Sequence, residues 1–135
     1  MYFPDGFLWG SSTSSYQVEG GIENNDWASS AKASEGQGRP KIPFAGKACD
    51  HYNRYEEDFD IAKSLGQNAH RFSIEWARIE PEEGKFDETE IEHYRKVIRA
   101  LRGRGIEPFV TLWHFTLPIW FADMGGFENS RAPFY

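Results

Sequence analysis

Cysteine is almost missing from this chain: Cys49 stands alone among 135 residues. No internal disulfide can form, and such cysteine use fits a reducing compartment. No stretch approaches the roughly 20 consecutive apolar residues that a membrane-spanning helix needs. The opening residues Met1-Tyr2-Phe3-Pro4-Asp5 carry neither the basic segment nor the apolar run of a secretion signal. Positive charge is scarce as well. Fifteen Lys and Arg against 21 Asp and Glu leave a net charge of -6. That balance argues against nucleic acid or an anionic membrane as partner, because phosphate demands a basic patch. His51, His70, His93 and His114 lie neither at helical ligand spacing nor beside cysteines, so no metal site and no cofactor are expected. Recurrent motifs and low-complexity tracts are absent. A soluble, cytoplasmic chain is the expectation.

Aromatic residues, in contrast, are plentiful: five Trp, six Tyr and eleven Phe make up 16% of the chain. They can fill a core, or line a pocket for ligands with apolar ring faces, sugars among them. The length fits one domain with a core of ordinary size.

The stretch from His70 to Arg78 organises the rest. Phe72, Ile74 and Trp76 alternate with Arg71, Ser73 and Glu75, the period of a strand. Side chains two apart on a strand project the same way, so Arg71 and Glu75 are expected on one side. Charge on the inside of a barrel is costly, and a site is the reason to place it there.

Around this strand the chain reads as alternating β and α units. Phe7-Leu8-Trp9-Gly10 is a candidate first strand. From Ile22 to about Ala48, Gly, Ser, Asn and Lys with Pro40 and Pro43 predict a loop, long enough to be functional. Tyr52, Tyr55, Phe59, Ala62 and Leu65 recur at spacings of three and four, predicting a helix over Arg54 to Leu65 that Gly66 ends. Residues 80–85 read as a turn. Asp87 and Glu90 form a capping-box pattern before a second helix, with Ile91, Tyr94, Ile98 and Leu101 on its apolar stripe and Gly103 or Gly105 at its end. A third strand, apolar on both faces, is expected from Pro108 to Phe115. The order implies right-handed crossovers and a parallel α/β sheet covered by helices.

Four blocks carry the reading further. Trp9-Gly10-Ser11-Ser12-Thr13-Ser14-Ser15-Tyr16-Gln17-Val18-Glu19-Gly20 is the first, and Cys49-Asp50-His51-Tyr52-Asn53-Arg54-Tyr55-Glu56-Glu57-Asp58 the second. Arg71-Phe72-Ser73-Ile74-Glu75-Trp76-Ala77-Arg78-Ile79 follows, and then Trp113-His114-Phe115 through Leu117-Pro118 with Trp120. In this order they resemble glycoside hydrolase family one, the β-glucosidase and β-galactosidase group, over nearly the whole chain. The resemblance implies an eight-stranded (β/α) TIM barrel with its site at the C-terminal ends of the strands. It also implies a retaining β-glycosidase acting on a β-linked oligosaccharide or an aryl or alkyl β-glycoside.

By that resemblance Gln17 and His114 bind hydroxyls of the cleaved ring, and Arg71 supports the nucleophilic carboxylate. An amide suits a vicinal diol because it both donates and accepts, and a guanidinium keeps a nearby carboxylate ionised and oriented. Residue type alone leaves plainer readings open. A loop glutamine is ordinarily solvated surface, a strand histidine is ordinarily a satisfied core residue, and Arg71 can pair with Glu75 as a structural ion pair. Trp113, Phe115 and Trp120 are candidates for the sugar pocket or the core. The family places its acid/base in an Asn-Glu-Pro motif and its nucleophile in a Glu-Asn-Gly motif, and neither tripeptide occurs here. Glu75 therefore reads as a structural partner, with no catalytic residue in this chain. About three of eight strands are present, where such barrels run to about 250 residues. Residues 1–135 are accordingly expected to be the N-terminal part of one barrel domain, the remainder lying downstream. A non-catalytic sugar-binding or assembly module, or a decayed gene product, is the alternative.

Overall fold

The computed structural model describes residues 2–34 and 43–134. Three parallel strands, β1 (Gly10–Ser12), β2 (Ala69–Ser73) and β3 (Glu107–Thr111), form one sheet in the order β1-β2-β3. Ser73 stands opposite Thr111, so β2 and β3 end level, whereas Ser12 stands opposite Arg71 and β1 ends two residues short of them. The helices are α1 (Ser15–Val18), α2 (Asp26–Ser34), α3 (His51–Ser64), α4 (Trp76–Ile79), α5 (Glu88–Gly103) and α6 (Ile119–Asp123). Among the described residues no helix is long and apolar enough to cross a membrane.

The two long helices follow from their sequences. Asp87 caps α5, its side chain accepting from the amides of Thr89 at 2.8 Å and Glu90 at 3.3 Å. The reciprocal half of the expected capping box is replaced, because the Asp87 amide donates to the Ile79 carbonyl and Glu90 accepts from the Tyr52 hydroxyl. Both helices end in the same way. The Gln67 amide donates to the Ala62 carbonyl and the Gly66 amide to Lys63, while Ile106 donates to Leu101 and Gly105 to Arg102. This Schellman pattern needs a left-handed residue, supplied by Gly66 at φ +78° and Gly105 at φ +67°.

The apolar stripes close on one face of the sheet. Phe59 and Ala62 of α3, Tyr94, Val97 and Leu101 of α5, and Phe72 of β2 bury together with Ile106. Val97, absent from the expected stripe, lies deeper than Ile91, which is half-buried.

Several expectations shift. The first strand lies at Gly10–Ser12 instead of Phe7 to Gly10. Phe3, Phe7 and Trp9 instead cluster beside it, with ring centroids 4.6 to 4.8 Å apart and each ring exposed. The first predicted helix begins at His51, three residues early, with Asp50 in a left-handed conformation before it. β3 ends at Thr111, so His114 lies three residues beyond the strand instead of closing it. Nor is β3 covered on both sides: Phe109 and Val110 are exposed, since no described strand pairs with its outer edge.

The predicted loop from Ile22 to Ala48 contains the helix α2. Its sequence, Asp-Trp-Ala-Ser-Ser-Ala-Lys-Ala-Ser, lacks a strong apolar stripe, and contacts outside the helix hold it. Asn25 accepts from the Ala28 amide at 2.8 Å. Asp26 and Leu117 bond in both directions, the Asp26 amide to the Leu117 carbonyl and the Leu117 amide to the Asp26 carboxylate. Residues 35–42 of that predicted loop, Pro40 among them, lie outside the described residues.

Candidate functional site

The segments that leave the C-terminal ends of β1, β2 and β3 form one rim. Arg71 projects from β2 on the side away from the helices. Its Nη1 donates to the Thr13 carbonyl at 3.2 Å and stands 3.5 Å from Nδ1 of His114. Partial burial, and next the Arg71 charge, lower the His114 pKa below the ordinary histidine range. Among the described residues no carboxylate pairs with Arg71. Gln17 sits on α1, four residues past Thr13. Its side chain is exposed and its Oε1 accepts from the Ser14 hydroxyl at 2.6 Å. The structure thus brings Arg71 and His114 into contact. Gln17 reaches the same rim through the backbone that Arg71 grips, and among the described residues its side chain bonds to Ser14 instead of to Arg71 or His114.

Glu75 departs from its expected place. The alternation of residues 70–78 continues past the strand, which ends at Ser73. Glu75 is the cap residue of α4, its amide donating to the Tyr94 hydroxyl at 3.0 Å. The period-two rule has no force beyond the strand, so the expected common side is lost, and the alternative Arg71–Glu75 ion pair does not form. The Glu75 carboxylate is fully buried and accepts instead from Ser15 Oγ at 2.8 Å, Thr116 Oγ1 at 3.1 Å and Asn25 Nδ2 at 3.4 Å. Burial raises its pKa, and these three hydrogen bonds oppose the rise.

A second buried carboxylate lies behind the first. Tyr94 donates to Glu19 at 2.9 Å, and Glu19 pairs with Arg78 at 3.0 Å. Arg78 also donates to the Gly20 carbonyl at 2.7 Å and stands 4.3 Å from the Tyr52 ring centroid. Burial outweighs the Arg78 charge and pushes the Glu19 pKa up to about 7.

Of the aromatic candidates, Trp113 and Phe115 are exposed, with Phe115 stacked on Trp27 at 5.7 Å. Trp120 packs inward against Trp76, and its indole donates to the Glu80 carbonyl. An open cleft of about 470 Å³ lies among Glu19, Glu23, Lys47, Tyr52 and Arg78, and none of Gln17, Arg71 and His114 lines it.

Ser15, Asn25 and Thr116 were not singled out from the sequence. Ser15 is one hydroxyl in a serine-rich run, and Asn25 lies in the predicted loop. The one available signal was Glu75 itself, a carboxylate in an apolar neighbourhood that must find donors.

The profile of glycosyl hydrolase family 1 matches residues 1–132. Beta-glucosidase A of Thermotoga maritima is 42% identical over 136 aligned residues, which cover 96% of this chain and 30% of that protein. A solved β-glycosidase from Pyrococcus horikoshii superposes with a TM-score of 0.83 at 48% identity, covering 93% of this chain and 28% of its own. The Thermotoga maritima β-glucosidase in complex with a methoxycarbonyl-substituted glucoimidazole gives a TM-score of 0.87 at 38% identity, covering 96% and 30%. The chain spans about 30% of the length of the relatives it matches. The sheet and helices described above have the fold of the corresponding part of these family 1 TIM-barrel glycosidases.

Proposed function

The chain belongs to glycosyl hydrolase family 1, and from that premise we propose that it is the N-terminal part of a retaining β-glycosidase of the β-glucosidase type. Its substrate is a β-linked oligosaccharide or an aryl or alkyl β-glycoside. Retaining hydrolysis needs two carboxyl groups roughly 5 to 5.5 Å apart, one attacking the anomeric carbon and one shuttling the proton. In this reading both come from residues beyond this chain, and the chain contributes the binding side of the site.

Gln17 donates and accepts at neighbouring hydroxyls of the ring, and His114 binds a further hydroxyl. Arg71 holds the nucleophile ionised. The observation that carries the proposal is Arg71, whose guanidinium sits at the strand-end rim beside His114 and meets no carboxylate among the described residues. Charges withdrawn from water are ordinarily paired, so the half-buried Arg71, left without a carboxylate among the described residues, suits a partner supplied from elsewhere in a barrel. A cytoplasmic setting belongs to the same proposal and rests on cysteine use.

The reading frame beyond codon 135 tests this directly. An Asn-Glu-Pro block within some tens of codons is the expected result, whereas a stop codon there sinks the enzyme in favour of a sugar-binding module or decayed gene. The 135-residue chain should not turn over an aryl β-glucoside. Turnover that survives Glu75→Gln would contradict the assignment of both carboxylates to residues outside it.

A further inference from the structure

Among the described residues no cation binds Glu75 directly. Its carboxylate is fully buried and receives only neutral donors: two hydroxyls and one amide. A buried carboxylate held in this way is a poor stabilising device, because removing it from water costs several kcal/mol that neutral donors only partly return. What a carboxylate offers is geometry, since two oxygens with about four lone-pair positions can collect donors from several directions.

The donors come from three separate segments. Ser15 is on α1, two residues before Gln17, and its amide is also held by Ser73 Oγ at 2.8 Å. Thr116 lies two residues after His114. Asn25 caps α2, which carries the Trp27 ring that stacks on Phe115.

The segment carrying His114 has particular need of an anchor. Phe115 has φ +68°, and the Thr116 amide donates back to the His114 carbonyl at 2.9 Å. This is a γ-turn of the rare positive-φ form, in a bulky residue that avoids it. Such a conformation is strained and persists only where its surroundings over-determine it. Thr116, buried and bonded to both oxygens of Glu75 at 3.1 Å, supplies that restraint.

We propose that Glu75 is a positioning residue: its carboxylate pins the segments bearing Gln17 and His114 to one buried point, and so sets His114 against Arg71 for ligand binding. The ligand-binding role of these two side chains rests on the function proposed above, whereas the pinning stands on the contacts alone.

The test follows the imidazole signals of the 135-residue chain by NMR through a pH titration, with glucose added as a separate arm. Thr116→Val removes the gripping hydroxyl at nearly constant shape, Thr116→Ser restores it, and Glu75→Gln alters the anchor itself. In Thr116→Val and Glu75→Gln the His114 midpoint should rise toward the ordinary value as the ring gains solvent and leaves Arg71. His70 and His93, held near about 4 by burial, should not move, and Thr116→Ser should titrate as wild type. An unchanged His114 midpoint in Thr116→Val overturns the proposal, as does a shift shared by all three histidines. Should Glu75→Gln fail to fold, the two Thr116 variants carry the test. Glucose separates the two ideas. A wild-type chain blind to glucose, with His114 still moving in the variants, sinks the sugar reading and leaves the pinning intact. Glucose binding that Thr116→Val leaves untouched, with His114 unmoved, does the opposite.

Discussion

On the helix side of β2, Phe72 packs among Phe59, Tyr94, Val97 and Leu101. Beyond the end of the same strand, Ser73 and Glu75 meet Ser15, Asn25 and Thr116. Both regions are buried, and they obey different rules. The apolar side needs the right volume and tolerates variation in detail, so it supplies free energy. The polar side needs each donor opposite an acceptor, tolerates little, and returns little net stability. One therefore expects the first to decide whether the chain folds and the second to decide where the rim side chains stand.

The strongest attempt to break this contrast is Leu101→Ala. Leu101 is fully buried at the centre of the apolar side, and truncation there should cost about 2 to 5 kcal/mol in urea denaturation. The His114 environment should stay as it was in the fraction that remains folded. A loss no larger than that of the Thr116 substitution below would abolish the contrast.

The two regions also differ in sign with pH. Glu19, behind the rim, has its pKa raised to about 7, above the unfolded value. Its contribution to stability is full below about 4.5 and is lost as pH rises through 7, a change on the order of 3 kcal/mol. Glu75 is shifted the same way. His70, in the sheet against Phe59, and His93, stacked on Tyr52, have their pKa values lowered to about 4 by burial. Their contribution is full above the ordinary histidine value and is lost as pH falls from there toward 4. Stability should therefore pass through a maximum near pH 6. In Glu19→Gln the alkaline limb should flatten while the acid limb remains, and a limb left unchanged would remove Glu19 from this account.

How much of this was legible beforehand divides along the same line. The helices α3 and α5 announce themselves through apolar residues at helical spacing, because that side is built by volume and periodicity. The order of elements follows from periodicity and its breakers, and the resemblance from the four blocks. β1 was displaced by three residues because the aromatic run at Phe7 to Trp9 imitates a strand, although its rings cluster outside the sheet. The polar rim stayed hidden for a different reason. Glu75 finds Ser15 and Thr116 across separations of 60 and 41 residues, and no local pattern records such a pairing. α2 reads as loop in the sequence because its anchors, Asn25 and the Asp26–Leu117 pair, act through tertiary contacts.

A weaker probe removes one polar contact and nothing else. Thr116→Val leaves the Glu75 carboxylate with Ser15 and Asn25, so urea denaturation should show a loss of about 1 to 2 kcal/mol. A loss above that of Leu101→Ala would mean that the rim carries the stability after all.

The smallest effect on stability should belong to Gln17→Ala, which makes this variant the sharpest separation of folding from function. Gln17 is exposed, and its side chain makes one hydrogen bond, from the neighbouring Ser14 hydroxyl. Surface substitutions of this kind change stability by about 0.5 kcal/mol or less, and the urea midpoint should barely move. If Gln17 grips a ring hydroxyl, the same variant should lose most of the glucose-dependent NMR shifts at the rim while the titrations of His70, His93 and His114 stay as in wild type. An unaltered glucose response would reduce Gln17 to solvated surface. A large fall in the urea midpoint would instead make it part of the framework that Ser15 anchors. Only loss of the sugar response without loss of stability identifies a residue whose contribution is to the ligand.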